Sequence, residues 1–448
     1  MDDATVNGGK NERKAVCIRV KAAGRKLYKH DVMGSIAHVT MLGETGLIPS
    51  GDAEVLQRAL TRVFYDVTNE KLVIPPDVDL FDFLDAELKT RVGEIGEKVN
   101  VARTRDDRIA LDMRMFTREL ACDLNEYVKT VIKTLVAVAE INTLTFIPFS
   151  YKGTEGQPTT AAHVFLARAE SFMRDAARLK NVAEETDGMP LYSAFGTGLR
   201  LPADKKRVAE LLRFKSVAYN TADALTDVDY LRGLLFAVSV FADHVSTLLG
   251  DIREWTIKGY LVPSEDFAVP SDVRLLSVVP TGINSLIAAS DALSSLCRES
   301  NRNAPLADLF RCAADAENSV KSLVPMLNEL VASLTFDSQT SIKAAQTGYS
   351  TAADCVDYLI AKGESKSAAT EIVTKLCVYC RDNGKRLDTL PAEIYTEFSD
   401  KFDPDVVSDM RVRNAVRLRK NEGEPSDVST RAEIRSLNRR ITKLFDKE

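Results

Sequence analysis

Charged side chains are concentrated in the segment ARTRDDRIALDM, near the end of the first quarter of the chain. Arg103, Arg105 and Arg108 lie around the adjacent carboxylates of Asp106 and Asp107. Guanidinium groups bind ligands through paired, directional hydrogen bonds, so such a cluster can line a substrate site. The same residues can equally cap the helix that follows and pair with one another. Both interpretations stay open on this segment alone.

No metal site and no cofactor site is predicted. Cys377 and Cys380 have a metal-like spacing, but no second Cys or His pair accompanies them. No glycine-rich phosphate loop lies between a strand and a helix, so a nucleotide cofactor has no support. His38, His163 and His244 lie at helical spacing among apolar residues, which favours packed histidines over catalytic ones.

Most of the chain shows the apolar periodicity of helices, and no stretch shows convincing strand alternation. Helices and the loops between them must therefore position these residues. Loops are predicted at residues 148–158, 188–202 and 259–282, where glycines and prolines collect. Helices are predicted from Tyr28 to about Gly46 and over 50–68, 80–93, 109–142, 159–180, 202–255, 283–297 and 307–334, with shorter helices beyond residue 348.

The longest periodic stretch runs from Pro202 to Trp255, with apolar residues three and four apart and a single internal glycine, Gly233. At most one break is predicted, near residues 219–226. Its second half is apolar on more than one side, so it should pack against its own copies or against equally long helices. The predicted fold class is therefore all-α, with this helix at the centre of an oligomer.

Composition narrows the class of protein. The chain is 45% hydrophobic and 28% charged, which is typical of a soluble globular protein. The net charge of −6 gives no general attraction to nucleic acid, and no uninterrupted apolar run reaches the length of a membrane span. The seven cysteines are odd in number and scattered, which favours a reducing compartment. We expect a cytoplasmic protein without nucleic-acid or membrane partners.

Several segments occur in the order found in one enzyme family. They are DVMGSIAHVTML (31–42), ARTRDDRIALDM (102–113), QP (157–158), LPADKKRVAELLRF (201–214), NTADALTDVDY (220–230), AAQTGYSTAADCVDYLIAK (344–362) and FSDKFDPDV (398–406). With them the chain resembles argininosuccinate lyase, within the fumarase/aspartase superfamily. The resemblance implies a three-domain, all-α fold and a homotetramer whose central bundle takes long helices from all subunits. We therefore expect a tail at 1–27, an N-terminal domain at 28–110, a central bundle at 111–342 and a C-terminal domain at 343–448.

The resemblance also implies a reaction, the β-elimination of a C–N bond in a small-molecule substrate, at sites where segments of three subunits meet. In that family a serine of a mobile loop removes the carbon-bound proton, and Ser271 falls on this serine in the best register. A lysine and an asparagine of the same loop hold the carboxylate and the developing negative charge. The predicted substrate-binding residues are Ser35, Thr104, Arg105, Asp106, Gln157, Ser193 and Asp227. All of these except Asp106 remain from the family pattern, as does Asp107.

Departures from the family pattern bear on the substrate. Ser277 and Val279 stand at the positions of the loop lysine and asparagine. Tyr151-Lys152 replaces a threonine–histidine pair, and Asn284 replaces the glutamate that partners the histidine. Asp106 replaces an asparagine and adds a negative charge beside Arg105. This change disfavours a dicarboxylate and tolerates a cationic or neutral ligand.

Two hypotheses follow. The first is a divergent lyase that performs elimination or addition at a C–N or related bond of a non-succinyl substrate in specialised metabolism. Proton transfer would then use Ser271, Lys152 or Tyr151, while Arg105 and Thr104 orient the ligand. The second is a catalytically inactive relative that acts as a tetrameric scaffold, binding protein or partner subunit, as the simultaneous loss of the histidine, its glutamate and the loop lysine and asparagine suggests. The residues that persist at the cleft positions favour the first hypothesis.

Overall fold

The computed structural model describes residues 25–76, 78–151, 154–262 and 306–445, together with 288, 291, 292 and 295. Helices dominate this part of the chain, which confirms the all-α prediction. They are α1 (Tyr28–Glu44), α2 (Ser50–Thr68), α3 (Leu80–Val92), α4 (Arg105–Ile141), α5 (Ala161–Glu185), α6 (Lys205–Leu211), α7 (Thr221–Thr226), α8 (Asp229–Ile257), α9 (Leu306–Ser333), α10 (Ser338–Ala345), α11 (Ala352–Ala361), α12 (Lys366–Asp382), α13 (Ala392–Phe398), α14 (Val406–Asp409), α15 (Val412–Leu418) and α16 (Asp427–Phe445). The helix predicted over 283–297 and the loop that contains Ser271 lie outside the described residues, apart from those four isolated positions.

The prediction of a nearly continuous helix from Pro202 to Trp255 is wrong in its first half. That half contains α6, α7 and a two-residue strand, and only α8 is long. Arg213 has a φ of 57°, a left-handed conformation that ends the helical path after α6. Asn220 then caps α7, because its side chain accepts hydrogen bonds from the amides of Ala222 and Asp223. Local side-chain capping therefore overrides the apolar periodicity.

The loop predicted over 148–158 contains a β-hairpin, so that prediction is also wrong. Strands β1 (Phe146–Tyr151) and β2 (Thr154–Thr160) pair antiparallel, with an irregularity between Pro148 and Ser150. Pro148 lies opposite Pro158. Neither proline has an amide hydrogen, so both residues signal a loop in the sequence although they can sit side by side at an irregular point of a ladder.

In the described part of the chain, four further strands of two residues each make small ladders. They are β3 (Gly188–Met189), which pairs parallel with β4 (Ser216–Val217), and β5 (Leu261–Val262), which pairs antiparallel with β6 (Thr335–Phe336). Each of these strands is too short to show an alternating pattern, so the sequence does not predict them.

The chain divides into two compact units, and the long helices contribute to both. Unit 1 comprises residues 1–125, 177–240 and 292–321, and unit 2 comprises residues 126–176, 241–291 and 322–448. The first part of α4 therefore belongs to unit 1 and the remainder to unit 2. The division into three domains at residues 28, 111 and 343 stays a prediction.

In unit 1, helix α1 packs closely against α2 and reaches α4 at Gly34. A Cβ atom at Gly34 would lie 2.7 Å from Cδ2 of Leu111 and 3.9 Å from Oδ1 of Asp112. The glycine therefore permits close approach of the two helices at the point where their polar residues meet.

In unit 2, the hairpin packs on α10 and α15. Its contact is apolar and is made by Phe146, Ala345, Val412 and Val416. Arg419 adds a polar clamp, because its guanidinium donates to the Pro158 carbonyl at 2.7 Å and to the Asp354 carboxylate at 2.9 and 2.7 Å. The hairpin is thus fixed by tertiary contacts that connect distant parts of the sequence.

One helix in the described part of the chain, α8, is long and apolar enough to cross a membrane. In its most apolar window, 56% of the residues are buried within the protein. The core helix of a globular protein has the same length and composition, so the feature is weak evidence for a membrane span.

Candidate functional site

A buried ion pair connects α1 to α4 in unit 1. The Arg108 guanidinium donates to both carboxylate oxygens of Asp31, at 2.9 and 2.8 Å, and to Asp85 at 2.8 Å. Asp31 is 2% exposed, so burial alone would raise its pKa. The charge of Arg108 and its hydrogen bonds outweigh burial and lower the pKa of Asp31. The lowered pKa favours the anionic form of Asp31, and the ion pair fixes the relative position of the two helices.

Other buried polar groups beside this pair have no hydrogen-bond partner among the described residues. They include Oγ of Ser35, Nε and Nη2 of Arg103, and both carboxylate oxygens of Asp112. Burial, followed by the charge of Asp31, raises the pKa of Asp112 well above its ordinary value, which favours the neutral form of this carboxyl. Burial, followed by the charge of Arg108, lowers the pKa of Arg103 to about 10. Ser35, a predicted binding residue, therefore lies in a polar interior that keeps free hydrogen-bonding capacity.

Asp107 joins two of the predicted binding residues. One of its carboxylate oxygens accepts from the amide and the hydroxyl of Thr104, at 2.8 and 2.9 Å, at the start of α4. The other oxygen accepts from the amides of Ser193 and Ala194, at 2.8 and 3.4 Å. Asp107 is fully buried. It therefore holds Thr104 and Ser193 on opposite sides of a single carboxylate.

The segment that contains Ser193 has a strained backbone. Tyr192, Ala194 and Phe195 have φ values of 67°, 39° and 55°, in the left-handed region that costs a non-glycine residue about 1–2 kcal/mol. The Tyr192 hydroxyl is hydrogen-bonded to Nδ1 of His38 at 2.8 Å, and both residues are buried. His38 is thus packed, as its spacing predicts. We call residues 192–198 the strained loop.

The exposed rim of this region is acidic. Nη1 of Arg105 donates to Asp82 at 2.9 Å, its Nη2 is paired with Asp79, and its guanidinium lies 5.2 Å from the centre of the Phe81 ring. Asp106, next in the chain, is exposed. The positive charge of Arg105 is therefore already compensated by two carboxylates, and a third lies next to it. We call Asp79, Asp82, Arg105 and Asp106 the acidic rim.

Asp227 lies at a different place in unit 1. It accepts from Arg114 at 2.7 Å, and the Arg114 guanidinium lies 4.7 Å from the centre of the Tyr230 ring. Arg114 and Asp227 line an open cavity of about 570 Å³. The other charged residues of this cavity are Glu184, Glu185, Asp187, Lys215 and Asp223. The structure thus brings Thr104 and Ser193 together through Asp107, but it gives Asp227 separate partners.

The remaining predicted site residues belong to unit 2 or lie outside the described residues. Gln157 is exposed on β2 in unit 2. Tyr151 ends β1, paired with Thr154, while Lys152 and Ser271 lie outside the described residues. No cluster of three or more His, Cys, Asp or Glu side chains suited to a metal ion occurs in the part of the chain that the structure describes.

Asp79, Asp82 and the strained loop are parts of this region that are not evident from the sequence. Asp79 and Asp82, which bind Arg105, occur in a helix start that looks like many others. Phe195 and its neighbours gave no signal either, because a left-handed backbone is not expected at tyrosine, alanine or phenylalanine. The only available hint was their position between Pro190 and Gly196, in a segment already predicted to be irregular.

Comparison with known proteins identifies the family. Residues 21–259 match the family described as lyase, and residues 349–417 match the family described as argininosuccinate lyase C-terminal. Argininosuccinate lyases of Ruminiclostridium cellulolyticum and Desulforamulus reducens are both 30% identical to the chain, over 90% and 94% of each sequence respectively.

Solved structures share the fold. An EDDS lyase variant with bound fumarate has a TM-score of 0.80 at 20% identity, covering 93% of this chain and 86% of that one. A 3-carboxy-cis,cis-muconate lactonizing enzyme from Pseudomonas putida has a TM-score of 0.72 at 14% identity, covering 93% and 95%. The chain belongs to the argininosuccinate lyase-like branch of the fumarase/aspartase superfamily of lyases.

Proposed function

We propose that this protein is a divergent lyase that acts in the cytoplasm on a small, non-succinyl substrate with a cationic group. The reaction is an elimination at a C–N or related bond, or its reversal as an addition. In the elimination a base removes a proton from carbon, the electron pair of that C–H bond forms the double bond, and the C–N bond breaks. The released nitrogen takes up a proton. The family membership of the chain supports the reaction class.

The negative charge of the acidic rim is the observation that supports a cationic group on the substrate. In a site for a dicarboxylate, Arg105 would offer a free guanidinium. Here its guanidinium is held by Asp79 and Asp82, with Asp106 beside it. The rim repels a negatively charged group of a ligand, whereas it attracts an ammonium or guanidinium group. The rim therefore favours a cationic group of the substrate.

The roles of individual residues belong to the same proposal. Thr104 and Ser193, positioned by Asp107, and Ser35 in the polar interior bind the substrate, while Arg105 and Asp106 select its charge. Gln157 and Asp227 complete the binding set. Ser271, Lys152 and Tyr151 are the candidates for proton transfer. Segments of several subunits of a homotetramer would bring these two groups of residues together.

A binding experiment tests the ligand charge. The probes are agmatine, which carries a guanidinium and an ammonium but no carboxylate, and succinate. We expect agmatine but not succinate to raise the melting temperature of the full chain. Asp106→Asn should weaken agmatine binding several-fold and should not weaken succinate binding. Glu97→Gln is the matched control, because Glu97 is an acidic residue of the same unit that is paired with Lys89 away from the rim.

A turnover experiment tests the reaction class. The full chain is incubated with argininosuccinate and with a panel of amine and guanidine adducts, and the products are identified by mass spectrometry. We expect an alkene and a free amine from a member of the panel and little fumarate from argininosuccinate. Rapid fumarate release from argininosuccinate would show that the substrate proposal is wrong while the lyase class stands. Failure with every adduct would favour the catalytically inactive relative.

A further inference from the structure

The strained loop holds an aromatic side chain in solvent. Phe195 is 76% exposed and has a φ of 55°. An exposed phenylalanine gains little from burial on folding, and its left-handed backbone is unfavourable. Glycine would relieve the backbone cost at this position and would sacrifice little packing. The stability of the isolated chain therefore does not explain a phenylalanine at this position.

The strain is maintained by contacts on both sides of the loop. The hydrogen bond between the Tyr192 hydroxyl and His38 holds the beginning of the loop in the core, and Asp107 accepts from the amides of Ser193 and Ala194. At the other end, the Thr221 hydroxyl donates to the Gly196 carbonyl at 2.8 Å. Phe195 lies between these anchors. Strain that is held in place from several directions is characteristic of functional loops.

The loop that carries Phe195 is hydrogen-bonded to the residue next to Asp106 of the acidic rim. Ala194, the neighbour of Phe195, donates to Asp107, and Asp107 directly follows Asp106 in the first turn of α4. Phe195 is thus next to Ala194 in the chain, Asp106 is next to Asp107, and a hydrogen bond joins Ala194 to Asp107. The cation–π contacts in the described part of unit 1 use the rings of Phe81, Phe214 and Tyr230 instead.

We infer that Phe195 is a specificity-determining residue whose ring packs against the cationic group of the substrate, with the acidic rim supplying the compensating charge. A cation over an aromatic face is attracted by the negative face of the ring, and carboxylates nearby increase the attraction. The combination selects an ammonium or guanidinium group over both an anion and a neutral group. This inference rests on the proposed function and adds to it a residue that contacts the substrate.

Calorimetric titration of the full chain with agmatine tests the inference. We expect the affinity to fall about fivefold in Phe195→Leu, which keeps apolar area but loses the ring, and about tenfold in Phe195→Ala. Phe195→Trp should bind at least as tightly as the wild type, because indole is the best partner for a cation. Phe195→Gly should match Phe195→Ala in affinity but melt at a higher temperature, since glycine adopts a positive φ without strain.

Glu70→Gly is the control for backbone strain. Glu70 also has a φ of 57°, is exposed, and lies at the end of α2, outside the proposed site. This variant should raise the melting temperature in the same way while the agmatine affinity stays unchanged. A loss of affinity confined to the Phe195 variants therefore reports the ring and not a general change in the fold.

Three outcomes would overturn the inference, and they are distinguishable. If the wild type binds agmatine and Phe195→Ala binds it equally well, the inference is wrong and the proposed ligand class stands. If the wild type does not bind agmatine, the proposed ligand class is wrong and the inference fails with it. If the variants alter the molecular mass in light scattering without altering the affinity, Phe195 is a contact between subunits and not with substrate.

Discussion

Asp107 is the residue on which the geometry of the predicted site depends most directly. Its two oxygens accept from Thr104, Ser193 and Ala194, so a single carboxylate orients a helix start and a strained loop. Both oxygens are needed as acceptors. An asparagine has nearly the same shape but presents a donor in place of one of them.

Asp107→Asn should therefore destabilise the protein by about 1–3 kcal/mol, because buried amide donors lose their acceptor. Urea denaturation measures the change in the free energy of unfolding. Asp82→Asn is the control, since the Asp82 side chain is 69% exposed and its pair with Arg105 should contribute less than about 1 kcal/mol. Equal effects of the two substitutions would contradict the clamping role of Asp107.

The two carboxyls at the contact of α1 with α4 respond to pH in opposite directions. The pKa of Asp31 is lowered from 3.8, so its contribution to stability is present above that value and is lost as the pH falls. The pKa of Asp112 is raised well above 3.8, chiefly by burial. Its contribution is present below 3.8 and is lost as the pH rises through the pKa of the folded state.

Asp112→Asn should remove the part of the pH dependence of stability that Asp112 contributes. The asparagine keeps the shape of the neutral carboxyl and cannot ionise. The difference in unfolding free energy between variant and wild type should then shift in favour of the variant as the pH rises from about 4 to about 8. Denaturation at a series of pH values measures this. A difference that stays constant over the range would show that Asp112 does not ionise on unfolding.

At the scale of the element, helix α2 was predictable, whereas the hairpin and the first half of the helix predicted over 202–255 were not. Helix α2 begins and ends at the predicted residues, because Pro49 and the turn at Asn69 mark its ends in the sequence itself. The hairpin depends on residues far away, such as Ala345, Val412 and Arg419. A pattern read within one segment contains no information about those partners. Ser35, Thr104 and Ser193 are predicted through the resemblance, but the contacts of Thr104 and Ser193 with Asp107 required the fold.

The hairpin also provides an element-scale prediction at Gly156. A Cβ atom there would lie 2.4 Å from the Phe149 carbonyl oxygen, and a backbone atom of a paired strand cannot easily move away. Gly156→Ala should lower the free energy of unfolding by about 2 kcal/mol or more. Gly250→Ala is the matched control, because a Cβ atom at this position of α8 meets nothing within 4 Å. It should stabilise the helix by about 0.5–1 kcal/mol, so the two glycine substitutions should have opposite signs in thermal denaturation.

At the scale of the whole molecule, the long helices leave large apolar side chains in solvent. Ile141, Phe236, Ile257 and Met326 are each more than half exposed. They lie on or at the ends of α4, α8 and α9, the helices that the resemblance assigns to a bundle shared between subunits. Exposed apolar side chains on such helices are explained if copies of the chain cover them, since their burial then stabilises the assembly.

Phe236→Lys tests this explanation. A lysine buried at a contact between helices must lose its hydration without gaining a partner, so we expect the variant to dissociate at protein concentrations where the wild type does not. Light scattering should give the wild type a mass close to four times the 49.4 kDa of the chain. Tyr65→Lys, a change at a similarly exposed aromatic residue of α2, should leave the mass unaltered. A monomeric wild type would exclude a site completed by several subunits, and Ser271, Lys152 and Tyr151 would then have to reach Thr104 and Ser193 within a single chain.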